Sequence, residues 1–311
     1  MGSVVLSIDA ELGWGHHDLD DPPAARVEAG RYGWRVLLDM LDTYGIPATW
    51  GVVGHLFLDD CDMVHAGHPL ADGWFDREHG AWRNRPDLRF APDLIVEIEE
   101  AQVDHEIGCH TFSGVQFDRP ETTSEVARAE LVASLEAAAD APVSASMTSV
   151  LFPRNSVGHR DVLAEWGFSC YRGRGPHRPT PGGNALWKIG NATLASPPLV
   201  QPAVDEYGLV NVPASMYLFG FEGPVRRVWE RLWEDPILAA AKRGIEAAVE
   251  SDGIYHLWLH PNNLVTDADV SRVQSVLSII AHYRVERDLR VETMAEIAAR
   301  VTNEDASVPI P

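Results

Sequence analysis

The run Val4-Val5-Leu6-Ser7-Ile8, followed at once by Asp9-Ala10-Glu11-Leu12-Gly13, constrains the fold more than any other part of the chain. A short apolar stretch rich in β-branched residues predicts a strand buried on both faces. Val27, Trp34, Leu37, Leu38 and Leu41 then recur at helical spacing up to Gly45, and residues 46–54 read as a second buried strand. Strand, helix and strand within about fifty residues is the βαβ unit, and it requires a parallel sheet covered by helices.

The alternation continues along the chain. Strands are expected over residues 105–110, 147–152, 168–171, 208–213 and 253–260, and helices over 91–102, 123–139, 161–166, 236–250, 268–282 and 294–301. Residues 55–92 interrupt it as a long insertion carrying Trp74, Trp82, His65, His68 and His79, with the three histidines read as surface residues. Residues 173–202, rich in Pro and Gly, read as an irregular excursion with a short hairpin. The expected architecture is a single α/β domain over residues 1–303, a barrel or doubly wound sheet, with a C-terminal tail over 304–311.

Composition excludes several classes. Asp and Glu number 46 against 25 Lys and Arg, a formal net charge of −21, and Lys188 and Lys242 are the only lysines. Nucleic acid and anionic membrane surfaces are poor partners for such a field. The sequence lacks a transmembrane-length apolar span and a basic-then-apolar leader, so a cytoplasmic location is expected. The acidic residues are spread along the chain, as in proteins adapted to high salt, where screening relieves self-repulsion. The expected result is a melting temperature at least about 10 °C higher in molar salt than in dilute buffer. Indifference to salt would contradict the adaptation. Cys61, Cys109 and Cys170 show no paired metal spacing and read as reduced, partly buried residues.

Polar groups recur at the ends of successive strands: Asp9 and Glu11, then His110, then Arg154 with Asn155, then His260 with Asn262. In parallel α/β folds these ends build the active site. A carboxylate and an imidazole suit a zinc-type cation, a free carboxylate takes a proton from water, a histidine protonates a leaving group, and an arginine keeps the base ionised. Trp14 is a candidate for stacking on a substrate ring, and Asn155 and Asn262 are candidate substrate contacts.

These motifs resemble the polysaccharide deacetylases with the NodB homology domain, carbohydrate esterase family 4, over most of the chain. Ser7-Ile8-Asp9-Ala10-Glu11 looks like the first motif, Glu106-Ile107-Gly108-Cys109-His110-Thr111-Phe112-Ser113 the second, Phe152-Pro153-Arg154-Asn155 the third and Leu257-Trp258-Leu259-His260-Pro261 the last. The resemblance implies a distorted (β/α) barrel that removes N-acetyl groups from amino sugars with a divalent metal, zinc in type. It implies Asp9 as base, Glu11 and His110 as metal ligands, Arg154 as the residue orienting the base, and His260 as general acid. One departure stands out: Gly114 falls where the second motif supplies a second histidine, which leaves two protein ligands against the usual three. Two other readings therefore stay open: a hydrolase of the same fold acting on another non-peptide C–N bond with weak metal binding or none, and a non-catalytic glycan-binding or assembly protein.

Overall fold

A computed structural model describes residues 1–80, 82–143, 146–175, 198–220 and 235–306. Strand β1 (Ser3–Ala10) lies at the centre, and all eight of its residues are buried. On one side it pairs in parallel with β9 (Ile254–Leu259), with Ser3 opposite Ile254 and Ile8 opposite Leu259. The other edge is shared. β10 (Arg290–Glu292) takes its lower half and β2 (Thr49–Val52) its upper half, with Asp9 opposite Gly51.

The sheet continues from β2 through β3 (Glu106–Cys109), β4 (Ser149–Leu151), β5 (Cys170–Arg172), β7 (Val210–Asn211) and β6 (Ala203–Val204), and beyond β9 to β8 (Met216–Tyr217). Every pairing along this path is parallel except β6 with β7. The C-terminal ends of β1 to β5, β8 and β9 therefore face one way, and the sheet curls into a partly open barrel. Among the described residues the α-helices are α1 (Ala24–Tyr44), the short α2 (Asp76–His79) and α3 (Pro86–Arg89), α4 (Pro92–Glu99), α5 (Ser124–Asp140), α6 (Arg160–Glu165), α7 (Pro236–Ser251), α8 (Asp267–Glu286) and α9 (Met294–Ala306). None among the described residues is long and apolar enough to cross a membrane.

The two-residue period of a strand divides the β1 side chains between two environments. Val4, Leu6, Ile8 and Ala10 enter the main core with Trp34, Leu37 and Leu41 of α1 and Val273, Val276 and Ile280 of α8. Each large aliphatic side chain so buried is worth about 1.5–3 kcal/mol. Val5 points into the barrel, where Leu151, Cys170, Val210, Met294 and Ile297 close the floor. Ser7 and Asp9 follow on the same face, so the interior changes from apolar to polar on moving up β1.

The strands at residues 105–110, 147–152 and 253–260 stand where expected, shortened by up to three residues. β6, β8 and β10 have only two or three residues each, too few for a periodic signal. Residues 176–197 of the expected excursion and hairpin, and 307–311 of the tail, lie outside the described residues. In the insertion His79 is exposed as expected, but the side chains of His65 and His68 retain only 6% and 9% of their exposure, because both turn inward onto buried glutamates.

Candidate active site

At the top of β1 the Asp9 carboxylate is held by a bidentate fork, Oδ1 at 2.6 Å from Arg172 Nη1 and Oδ2 at 2.7 Å from Nη2. Arg172, the last residue of β5, is fully buried. Its Nε donates to Asn155 Oδ1 (3.0 Å), its Nη1 also to Ser7 Oγ (3.1 Å), and its guanidinium lies 4.7 Å from the Trp258 ring centre. Burial pushes the pKa of His256 down to about 3, so its imidazole is neutral. Its Nδ1 faces Pro213 O at 3.1 Å and its Nε2 faces Ser7 Oγ at 2.9 Å. The tautomer follows: Nδ1–H donates to the carbonyl, and Ser7 donates to Nε2 while accepting from Arg172. Ser7 and both ring nitrogens of His256 are thus satisfied. Burial opposes ionisation of Asp9, but Arg172, aided by His110 and His260, outweighs it and lowers the pKa to about 2.

Glu11 directly follows β1, two residues beyond Asp9. Its Oε1 is 2.8 Å from His110 Nε2, and its Oε2 is 3.5 Å from His260 Nε2, which is also 3.7 Å from Asp9 Oδ2. Burial again works against the charge, and His260 and His110 overcome it, so the Glu11 carboxyl too lies below its usual range. The loops that deliver these groups are bent sharply: Leu12, Thr111, Arg154 and Asn155 all have left-handed φ between 47° and 58°. Non-glycine residues there cost about 1 kcal/mol each and cluster at functional sites. Buried Glu130 of α5 pins the loop after β3, accepting from the backbone N–H of Phe112 and Ser113, both at 2.8 Å, and from Ser113 Oγ.

Asp9, Glu11, Tyr217, Trp258 and His260 line an open cavity of about 360 Å³, with His16 and Arg154 at its rim. Tyr217 and Trp258 stack with ring centres 4.3 Å apart and planes 27° from parallel.

The structure brings together Asp9, Glu11, His110 and His260. It reassigns the others. Arg154 is not the arginine on Asp9: its Nη2 bonds Asp18 Oδ1 (2.7 Å) and Gly15 O (3.3 Å), because its left-handed backbone turns the side chain outward. Asn155 lines the cavity and holds Arg172. Asn262 is buried at the cavity edge and ties Leu12 O (3.2 Å) to Arg26 O (3.1 Å) through its Nδ2. Trp14 keeps only 2% of its exposure, packed among His17, His55, Phe75 and Trp82, so it is core and no platform for a ring. Among the described residues, Tyr217 and Trp258 bring the phenol and indole rings that line the cavity. Arg172 had a readable signal: it follows the expected strand over 168–171, and the strand-end rule that finds Asp9 and His260 also finds it.

No protein-family model and no curated protein matches the chain. Among solved structures it is similar to a protein assigned as a polysaccharide deacetylase from Mycobacterium smegmatis, at 19% identity and TM-score 0.63, with 99% of this chain and 94% of that one covered. A second, a probable polysaccharide deacetylase from Pseudomonas aeruginosa, matches at 11% identity and TM-score 0.58 over 97% of this chain and 91% of that one. This is the polysaccharide deacetylase fold. The same deacetylase fold also superposes on Puue allantoinase, at 12% identity and TM-score 0.58, covering 99% of this chain and 92% of that one.

The deacetylase fold leaves the metal question to the residues themselves. Asp9, Glu11 and His260 each offer a donor atom within 4.8 Å of the others, and His110 Nε2 already touches Glu11. The carboxylate and imidazole donors of Asp9, Glu11 and His260 are of the kind that fits a divalent cation, and His110 adds an imidazole in contact with Glu11. Gly114 adds nothing to that set. Its φ is +83°, and a Cβ there would meet Trp14 O at 3.2 Å. Gly114→His is therefore expected to cost about 1–2 kcal/mol of stability in thermal unfolding. A variant as stable as the parent would show that the loop accepts a side chain.

Proposed function

We propose that this chain is a metal-assisted hydrolase that removes an N-acetyl group from an amino sugar of a surface polysaccharide or glycan precursor. The observation that carries the reading is the convergence of Asp9, Glu11 and His260 on one cavity also lined by the stacked Tyr217–Trp258 pair, with buried His110 bonded to Glu11 behind it. A divalent cation held by Glu11 and His110 would supply Lewis acidity, polarising the amide carbonyl and acidifying water. Asp9, ionised at neutral pH, accepts the proton of the attacking water through the lone pairs that Arg172 leaves free. Arg172, fixed by Asn155 and Ser7, sets the direction of that carboxylate. His260 Nε2, on the opposite side of Glu11 from His110, delivers a proton to the departing amine. Tyr217 and Trp258 offer an aromatic face to the sugar ring.

A second reading, hydrolysis of another non-peptide C–N bond with weak metal binding or none, draws on the direct Glu11–His110 contact and on the likeness to an allantoinase. The two separate in one experiment. Acetate and free amine are followed with N-acetylhexosamine oligomers, and ammonia or urea release with cyclic ureides, each with and without a chelator. The proposal expects acetate release that the chelator abolishes. Chelator-insensitive ureide hydrolysis with no acetate would replace it with the second reading.

A further inference from the structure

A second donor cluster lies in the insertion and shares no residue with the active site. His55 sits in the 3₁₀ turn that leaves β2 (Gly54–Phe57), Cys61 and His65 in the loop that follows, and Glu78 in α2. One donor atom from each lies within 4.8 Å of the other three. Cys61 Sγ is 3.7 Å from His65 Nε2, His65 Nε2 is 2.5 Å from Glu78 Oε2, and His55 Nε2 is 3.3 Å from Glu78 Oε1. A tetrahedral zinc ion with bonds of about 2.0–2.3 Å keeps its ligand atoms roughly 3.3–3.6 Å apart. The three separations of 2.5–3.7 Å and the 4.8 Å outer bound need shifts of about an ångström to meet that spacing.

The surroundings of the cluster are those of a metal site. The His55 side chain is fully buried, and its Nε2, turned into the cluster, makes no hydrogen bond. Its other ring nitrogen, Nδ1, faces the backbone carbonyl of Arg89 at 3.3 Å. That is how a ligating histidine is oriented, one nitrogen donating to a carbonyl and the other left bare for the ion. Glu78, also fully buried, has its Oε1 held by Arg89 Nε at 3.0 Å while Oε2 points to His65. The backbone N–H of Met63 donates to Cys61 Sγ (3.3 Å), an amide placed to support a thiolate. Left without an ion, the cluster keeps a bare buried imidazole nitrogen, and an unsatisfied buried polar atom costs about 1–3 kcal/mol.

We propose that His55, Cys61, His65 and Glu78 bind a structural zinc ion that staples the insertion to the exit of β2. The donor set is closed, one sulfur, two nitrogens and one oxygen, and leaves no position for substrate. The ion would order the insertion that packs over Trp14, whose ring centre is 4.4 Å from that of His55. It thereby supports the loop bearing Glu11 from behind.

The test uses the full-length protein loaded with zinc or with cobalt. Sulfur makes the two sites separable, because the active-site donors include no cysteine. Cys109 and Cys170 are fully buried and belong to neither donor group, so the thiolate signal reports Cys61. The cobalt form of the parent is expected to show thiolate-to-metal charge-transfer absorption that persists in His110→Ala and disappears in Cys61→Ser. Zinc content should likewise stay at about one equivalent in His110→Ala, and in His55→Ala with Cys61→Ser it should fall from about two equivalents to about one. Cys61→Ser alone is a one-atom change at a half-buried position, so its spectrum is readable even where the double variant is unstable. A cobalt form without thiolate absorption, or zinc retained in full by the double variant, would overturn the proposal.

Discussion

Arg172→Met is expected to lower turnover by about a thousandfold or more and native stability by about 3–5 kcal/mol, the cost of breaking a buried ion pair from one side. The size follows from what the guanidinium does at once: it neutralises Asp9 with two bonds of 2.6 and 2.7 Å, satisfies Asn155 Oδ1 and bonds Ser7 Oγ. Methionine replaces none of these. The pH dependence separates lost charge pairing from lost packing. In the parent, the Asp9 pKa of about 2 lies below its ordinary 3.8, so its contribution to stability is present above pH 4 and is lost as pH falls from about 4 through 2. In Arg172→Met burial acts without its main opponent, the carboxyl rises above its ordinary value, and the variant gains rather than loses stability on mild acidification. Thermal melts from neutral pH down to about 2 read the sign directly. Arg172→Lys, which keeps the charge without the fork, should fall between the two. A variant whose melting temperature parallels that of the parent at every pH would show that the pair does not set the ionisation of Asp9.

The second large effect is expected at His260. Its side chain is 22% exposed and faces the cavity, so His260→Ala should leave the fold nearly unchanged and lower kcat by about 10²–10⁴-fold, the usual worth of a positioned acid. An amine must be protonated to leave, whereas an activated phenolate leaves unaided. The loss should therefore be large on an N-acetylated sugar and small on an aryl acetate. Equal losses on both substrates would remove His260 from proton delivery and make it a binding residue.

How far the sequence carries is best seen residue by residue. The β1 stretch was legible because a run buried on both faces has one reading, and Asp9 and Glu11 follow from its end. His110 and His260 were legible for the same reason. Arg154, and not Arg172, was expected beside Asp9 because the left-handed φ of 56° that turns Arg154 away is reported by no pattern of residue types. Trp14 read as a possible platform because an aromatic next to a site looks the same in sequence whether it faces cavity or core. Tyr217 was hidden on a strand of two residues. His65 and His68 read as surface groups because their partners, Glu78 at 13 positions beyond His65 and Glu130 in α5, are connected to them by no periodic structure.

The measurement closest to the central claim is acetate release from N-acetylhexosamine oligomers by the parent and by Asp9→Asn, with bound metal assayed in the same samples. Asparagine preserves the shape at the top of β1 and can still accept from Arg172, but it takes no proton from water. The account predicts acetate release by the parent, a loss of about a thousandfold or more in Asp9→Asn, and metal content largely retained through Glu11 and His110. An Asp9→Asn protein as active as the parent would contradict it, because the base would then lie elsewhere.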